Sequence, residues 1–480
     1  MITRGKQCLY TGVVGLVMTA MFLALSMRSG SNVPVPETYS NADSTSSVAL
    51  PATQREEIDL PSHPSPAKPV ANPKTKQNIQ PVRVINEKPA VEASKYPEWW
   101  LRAWPRSAVA SLLGVFVGDQ PLFPPCQDGN QGQKGYTFVE PRNYLARSKS
   151  PCWYEDPKGG KGLRCAPYFY LAGVAKGGTT DLYRRIRLHP DVMFGTEKEY
   201  HWWDRDRYGS SSKDLGSGIV NLQGGMSLRD YLSRITGRDI REVAAELRDG
   251  GSSVKVFSDG SPSYLWDSFY WVALDGNQGC MEPRVITGHH IRHFYPAAKI
   301  ILTFRHPTPR LYSRFLSRIP RTPEFRKATS LDFHKFVVNG VRMYRECFEK
   351  WSIRHCTYNH TLYQDAKVRL VEGMYPVFMA DWLRIWPKEQ MLILRYEDYS
   401  QNMESVLRRV FDFLGLAPLN RTQWDVVLAQ EKYNTGEMYE KVGKMLPETK
   451  LILDQFYQPF IYQFAEIMND SRFLWAETSH

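Results

Sequence analysis

The chain has 480 residues, enough for two or three domains or for one large domain with added segments. Its 61 Lys and Arg against 50 Asp and Glu leave a net charge of +11. That balance argues against a basic partner and for an acidic one: nucleic acid, anionic lipid or an acidic polysaccharide.

The N-terminal stretch Leu9 to Met27 has no charged residue and is long enough to cross a bilayer as one helix. Arg4 and Lys6 precede it and only Arg28 follows closely. The positive-inside rule therefore predicts a cytoplasmic tail over 1–8, a signal-anchor over 9–27 and everything beyond on the lumenal side. A cleaved signal peptide is the alternative, although the stretch is long for one and has no clear small-residue cleavage site. From 28 to 95 the sequence is rich in Pro, Ser, Thr and Asn without a hydrophobic period, which predicts a disordered stem. Aromatics return at Tyr96-Pro-Glu-Trp-Trp, so the globular domain is expected over 96–480, with its core at 165–470 and an irregular lead-in before it.

Cys8 lies at the membrane edge, leaving six cysteines beyond it, an even number that suits disulfides in an oxidising compartment. Cys347 and Cys356 close a short loop between helical stretches and are the expected pair; Cys126, Cys152, Cys165 and Cys280 can pair in several ways. There is no CxxC spacing for zinc. Asn359, Asn420 and Asn469 each begin a glycan acceptor sequence.

The most informative stretch is Tyr168 to Leu188. Tyr168 to Val174 is an unbroken apolar run of strand length, as in a strand buried on both faces of a parallel sheet. Ala175, Lys176, Gly177 and Gly178 form a turn in which glycines let the backbone approach a ligand. Thr179 and Thr180 then start a helix, Thr180 to Leu188, stopped by Pro190. Free N–H groups and the positive end of the helix dipole would face one point and make an anion pocket. The order is not Walker A, because the lysine precedes the glycines. A single 5′-phosphate carrying a reactive group suits it better than a nucleoside triphosphate with magnesium.

Glu197-Lys-Glu-Tyr-His-Trp-Trp-Asp204 follows a short strand expected at Val192 to Phe194. Val254 to Ser258, Lys299 to Phe304 and Met391 to Arg395 are further strand candidates. Helices are expected at Arg310–Ile319, Leu331–Trp351, Val368–Trp386, Asn402–Leu414 and Pro447–Met468. Strands separated by helices predict an α/β fold with a central parallel sheet flanked by helices, which binds ligands at the carboxyl ends of its strands. Arg305 ends the strand at Lys299 to Phe304, and Ser313 lies on the helix after it, so the two could clamp a second phosphate at the same edge.

The two stretches together resemble the paired phosphate-binding elements of the sulfotransferases that use 3′-phosphoadenosine 5′-phosphosulfate, and the likeness runs from about Tyr168 to Met468, with LRYEDY at Leu394 to Tyr399. The resemblance implies a P-loop-like sulfotransferase fold, this phosphosulfate as donor and no metal requirement. It places Lys176, Gly177, Gly178, Thr179 and Thr180 on the 5′-phosphosulfate, and Arg305 and Ser313 on the 3′-phosphate. It aligns Glu199 and His201 with the catalytic segment of glycosaminoglycan sulfotransferases, Glu199 as base and Glu197 as rival, with Lys176 stabilising the leaving phosphate. Heparan-type relatives carry a lysine just before a Ser-Pro pair, where this chain has Gly260. Lys441 and Lys444 are candidate closing residues over the nucleotide.

Within that family, AGVAKGGTTDLYRRI, the His189-Pro-Asp191 triplet and Gly443 to Tyr457 most resemble the chondroitin-modifying members. That implies a Golgi enzyme, single-pass with its domain in the lumen, acting on chondroitin or dermatan sulfate at C6 of N-acetylgalactosamine 4-sulfate. A heparan-type or other carbohydrate O-sulfotransferase and an inactive glycosaminoglycan-binding protein of the same fold are the alternatives. No nucleic acid partner is implied, and the oligomeric state, including a homodimer, stays open. Trp202, Trp203 and Trp266 are candidates to stack on sugars, and Arg205, Arg207, Arg314, Arg318 and Arg321 to meet acceptor sulfates and carboxylates. His289, His290 and His293 resemble a metal cluster only superficially, since no acidic residue is spaced with them.

Overall fold

The structure, a computed structural model, describes residues 138–156, 162–193, 195, 198–209, 225–431 and 437–476. The chain divides into two units, Met1–Asn86 and Glu87–His480. The anchor segment, the stem, Cys8, Cys126, Phe194 and Glu197 lie outside the described residues. Among those described, no helix is long and apolar enough to cross a membrane.

A two-stranded antiparallel ribbon, β1 (Cys152–Tyr154) and β2 (Leu163–Cys165), is stapled where Cys152 faces Cys165 by a disulfide. The main sheet has four parallel strands, β3 (Phe169–Gly173), β4 (Ser258–Asp259), β5 (Lys299–Phe304) and β6 (Met391–Arg395), in the order β4-β3-β5-β6. Every residue of β3 is buried. The strand period of two divides its side chains between two apolar layers. Phe169 and Leu171 join Ile301 and Leu394 on one face, whereas Tyr170 and Ala172 join Ile300 and Leu302 on the other. Each large apolar side chain buried this way contributes roughly 1.5–3 kcal/mol.

The helices that frame the site are, in chain order, α1 (Thr179–Ile186), α2 (Pro307–Arg318), α3 (Ser330–Lys350), α4 (Tyr375–Ile385), α5 (Tyr396–Gln401), α6 (Met403–Leu414) and α7 (Pro447–Met468). Leu182 and Ile186 of α1 pack with Val410 and Phe411 of α6 in the layer that holds Phe169. Leu311 of α2, Phe348 of α3, Phe378 of α4 and Phe460 of α7 belong to the other layer.

Four expected elements differ. The strand expected at Val192 to Phe194 is, among the described residues, a single bridge from Val192 to Val256. The strand at Val254 to Ser258 shortens to β4, because Val256 bridges to Val192 and only Ser258 and Asp259 reach β3. The helix at Val368 to Trp386 splits into a 3-10 turn at Leu370–Gly373 and α4. Pro376 would clash with the Glu372 carbonyl in a continuous helix, so it sits instead in the first turn of α4. The helix expected from Arg310 starts at Pro307, where the prolines are tolerated in a first turn capped by His306, whose Nδ1 accepts from the Thr308 N–H at 3.2 Å.

Cys347 and Cys356 are disulfide-bonded, as expected, and Cys280 is disulfide-bonded as well. The amide oxygens of Asn359 and Asn420 cap helix N-termini, and Asn469 lies in the left-handed region just after α7.

Candidate functional site

The parallel register brings the carboxyl ends of β3, β5 and β6 to one edge of the sheet, and there a cavity of about 590 Å³ opens. The turn after β3 forms its floor. Lys176 has φ 68° and Gly178 φ 83°, so the backbone folds back within four residues. A Cβ on Gly177 would lie 2.6 Å from the Thr303 carbonyl oxygen, and one on Gly178 2.6 Å from the Tyr396 ring, so neither place accepts a side chain. The Thr303 hydroxyl donates to the Gly177 carbonyl at 2.9 Å and ties the turn to β5. Lys176, Gly178, Thr179 and Thr180 line the cavity, while Gly177 packs beneath it against β5.

Arg305 and Ser313 line the same cavity. The Arg305 guanidinium reaches the Lys176 carbonyl at 3.5 Å and lies 4.8 Å over the Tyr396 ring. The two sequence stretches thus meet at one sheet edge. Burial, followed by the positive charges of Arg314, Arg321 and Arg305, lowers the Lys176 ammonium to about 8.

The facing wall holds Glu199 and His201, which are non-glycine residues at φ 68° and φ 51°, conformations that cost free energy and cluster at functional sites. The Glu199 carboxylate is 2.5 Å from the Lys198 ammonium and 3.7 Å from His201 Nε2. Burial would raise its pKa, but His201 and Lys198 hold it well below the usual carboxylate range. His201 Nδ1 lies 2.8 Å from Ser263 Oγ and 3.6 Å from Asp204 Oδ2, and the Ser263 hydroxyl donates to Asp204. Burial would lower the imidazole, yet contact with Asp204 and Glu199 raises it to about 9, leaving an imidazolium at neutral pH. The His201 N–H donates to Ser261, whose hydroxyl donates at 2.6 Å to buried Asp259. Sequence reasoning assigned no role to Asp204 or Ser263; the three-residue spacing of His201 and Asp204 was the available signal.

Buried Glu372 gathers two arginines of α2. Arg310 of α2 donates to it at 2.9 Å and also reaches the Ala175 carbonyl in the turn at 3.5 Å, while Arg314 donates to its other oxygen at 3.2 Å. The Glu372 and Arg310 side chains are 0% exposed, so removing the acid strands buried positive charge. Glu372→Ala is expected to cost about 3–5 kcal/mol of stability in denaturant titration. A loss under about 1 kcal/mol would mean that solvent, not Glu372, compensates these arginines.

Several expected contacts are not made. Lys441 and Lys444 are exposed and do not line the cavity. Trp202 stacks on Tyr231 at 4.9 Å and Trp203 is wholly buried, so both serve the core, whereas Trp266 lines the cavity. Arg207 is buried against the Trp202, Trp203 and Tyr208 rings, 5.1–5.6 Å away, and does not reach the cavity. Arg318 does not line it either, donating to the Lys367 carbonyl at 2.7 Å, but Arg205, Arg314 and Arg321 do. A Cβ at Gly260 would lie 2.8 Å from the Tyr183 ring, which leaves no room there for a lysine. His289 accepts from the Ile286 N–H at 3.2 Å, and His290 stacks on Phe138 at 4.2 Å. Among the described residues no group of three or more His, Cys, Asp or Glu is placed to hold a metal.

Residues 280–445, which include β5, α2 and β6, match the family model described as a sulfotransferase domain. The chain is 33% identical over 406 residues to carbohydrate sulfotransferase 15 of Mus musculus, covering 74% of this chain and 70% of the mouse protein. It is 33% identical over 411 residues to carbohydrate sulfotransferase 15 of Homo sapiens, with the same 74% and 70% coverage. Among solved structures, a sulfotransferase from Alicyclobacillus acidocaldarius aligns with a TM-score of 0.37 at 17% identity, covering 65% of this chain and 99% of that one.

Proposed function

Because the chain belongs to the carbohydrate sulfotransferase family, we propose that it moves a sulfuryl group from 3′-phosphoadenosine 5′-phosphosulfate to a glycosaminoglycan hydroxyl. The acceptor in this reading is C6 of N-acetylgalactosamine 4-sulfate in chondroitin or dermatan sulfate. One observation carries the transfer itself: Lys176, Arg305, Ser313 and Glu199 all line a single cavity.

The cradle fits such a donor. Lys176, Gly178, Thr179 and Thr180, at the turn and the N-terminus of α1, line the cavity where one phosphate would sit, and Arg305 with Ser313 can grip a second phosphate. When bound, the donor supplies a sulfuryl group already activated by a phosphate leaving group. Glu199, ionised across the neutral range, takes the proton of the acceptor hydroxyl as its oxygen bonds to sulfur. Lys176 holds positive charge where the departing phosphate oxygen becomes anionic as the sulfur–oxygen bond breaks. His201, fixed by Ser263 and Asp204, keeps the Glu199 carboxylate oriented. The disulfides support an oxidising compartment, and we place the reaction in the Golgi lumen behind the Leu9 to Met27 anchor.

Transfer of radiolabelled sulfate to chondroitin, dermatan and heparan chains, followed by disaccharide analysis, tests the acceptor. Label in a 4,6-disulfated N-acetylgalactosamine unit is expected; label confined to heparan disaccharides would overturn it.

The pH dependence follows from Lys176. Its ammonium is charged below about 8 and loses its proton above. The kcat/KM for the donor is therefore expected to be flat through neutrality and to fall roughly tenfold per pH unit above that value. Lys176→Arg, with a cation that does not titrate there, should move the onset of the fall up from about 8 to about 9, where His201 loses its proton. An identical alkaline limb in that variant would assign the titration to another group.

A further inference from the structure

The charges facing the cavity can be matched pair by pair. Arg205 is 2.5 Å from Asp267, Arg314 is 3.2 Å from Glu372, and Lys198 is 2.5 Å from Glu199. Asp181 accepts from Arg185 at 2.9 Å and from the Tyr399 hydroxyl at 2.5 Å. Three lining cations have no carboxylate within ion-pair distance among the described residues: Lys176, Arg305 and Arg321. The donor's two phosphates account for Lys176 and Arg305. Arg321 is left over.

Arg321 stands three residues beyond the last residue of α2, and it lines the cavity together with Arg314 and Ser317 of that helix. Its N–H donates to the Arg318 carbonyl at 3.0 Å, in the turn that closes α2, and its guanidinium donates to the Ser317 carbonyl at 3.0 Å. A carbonyl satisfies a hydrogen bond but does not neutralise a charge. No acid on α2 offsets it either, for the helix reads PTPRLYSRFLSR. The nearby acid Glu324 is 3.1 Å from Lys367.

We infer that Arg321 is a specificity-determining residue that pairs with an anionic substituent of the acceptor sugar, next to the hydroxyl that reacts. The inference rests on the proposed sulfuryl transfer and adds to it the residue that distinguishes a charged acceptor from a neutral one. Arg321 shares one cavity with Glu199, so a sugar presenting its hydroxyl to Glu199 can also present a neighbouring anion to this guanidinium. Its positive charge is also one of those that lower Lys176, which puts it within electrostatic reach of the reaction centre. A sulfate arriving with the acceptor would relieve that crowding of like charge.

The test compares chondroitin 4-sulfate with chemically desulfated chondroitin, using the full chain and Arg321→Gln. Wild-type protein is expected to favour the sulfated acceptor in kcat/KM, and Arg321→Gln to lose about tenfold of that preference, the worth of one charge-assisted hydrogen bond. The loss should fall on the sulfated acceptor, with the desulfated one changed less than about threefold. Equal losses on both acceptors, or no loss on either, would overturn the inference. Equilibrium binding of the same two polysaccharides to protein saturated with adenosine 3′,5′-bisphosphate gives a second reading of the same preference. Selective binding that depends on Arg321 without any transfer would sink the proposed reaction and keep the assignment of Arg321. Transfer with an unaltered preference in Arg321→Gln would do the reverse.

Discussion

Glu199→Gln is expected to abolish most turnover, lowering kcat by ~10²–10⁴ while nucleotide affinity stays within about twofold. The amide keeps the shape and the hydrogen-bonding reach of the carboxylate but cannot take a proton. Its effect on folding should be slight, because the Glu199 side chain is 43% exposed and its pair with Lys198 is therefore partly screened. The strained backbone at φ 68° is the same for either residue. Rapid-quench measurement of one turnover, with calorimetric titration of adenosine 3′,5′-bisphosphate alongside, separates chemistry from binding. A variant that binds and turns over normally would move the base elsewhere, first to Glu197.

Lys176→Ala should lower kcat/KM for the donor by ~10²–10³, the usual cost of removing one preorganised charge from a site where negative charge develops. The fold is expected to survive. Lys176 is half-buried, lies among Arg305, Arg314 and Arg321, and makes no ion pair among the described residues, so its removal relieves repulsion. The melting temperature of the variant should therefore equal or exceed that of the wild type. Near-normal donor use would remove Lys176 from the chemistry, whereas a lower melting temperature would make its role structural.

Much of this site was legible from local patterns. The run from Phe169 to Thr180 announces a buried strand, a glycine turn and a helix start, and the structure places all three within a residue or two of expectation. Arg305 was equally readable, because a six-residue strand followed at once by arginine and then by prolines fixes where that side chain leaves the sheet. Groups acting across long chain separations were not readable. Asp204 matters through Ser263, and Glu372 gathers Arg310 and Arg314, contacts that exist only after folding. Single side chains were the least readable. Trp202, Trp203 and Trp266 are alike in sequence, yet one of the three lines the cavity, since burial depends on neighbours such as Tyr231 that no short window contains. The split at Pro376 is a different case: the apolar period continued through Val368 to Trp386, and the missing N–H of one proline outweighed it.

The central claim is that Lys176 and Arg305 grip opposite ends of one doubly phosphorylated adenosine. Calorimetric affinities of adenosine 3′,5′-bisphosphate and adenosine 5′-monophosphate, each measured on wild type and on Arg305→Ala, test it as a double-mutant cycle. The wild type should lose about tenfold or more when the 3′-phosphate is absent, and Arg305→Ala should bind the two nucleotides almost alike. If Arg305→Ala still prefers the bisphosphate by the full wild-type factor, the 3′-phosphate lies elsewhere and the shared cradle is wrong.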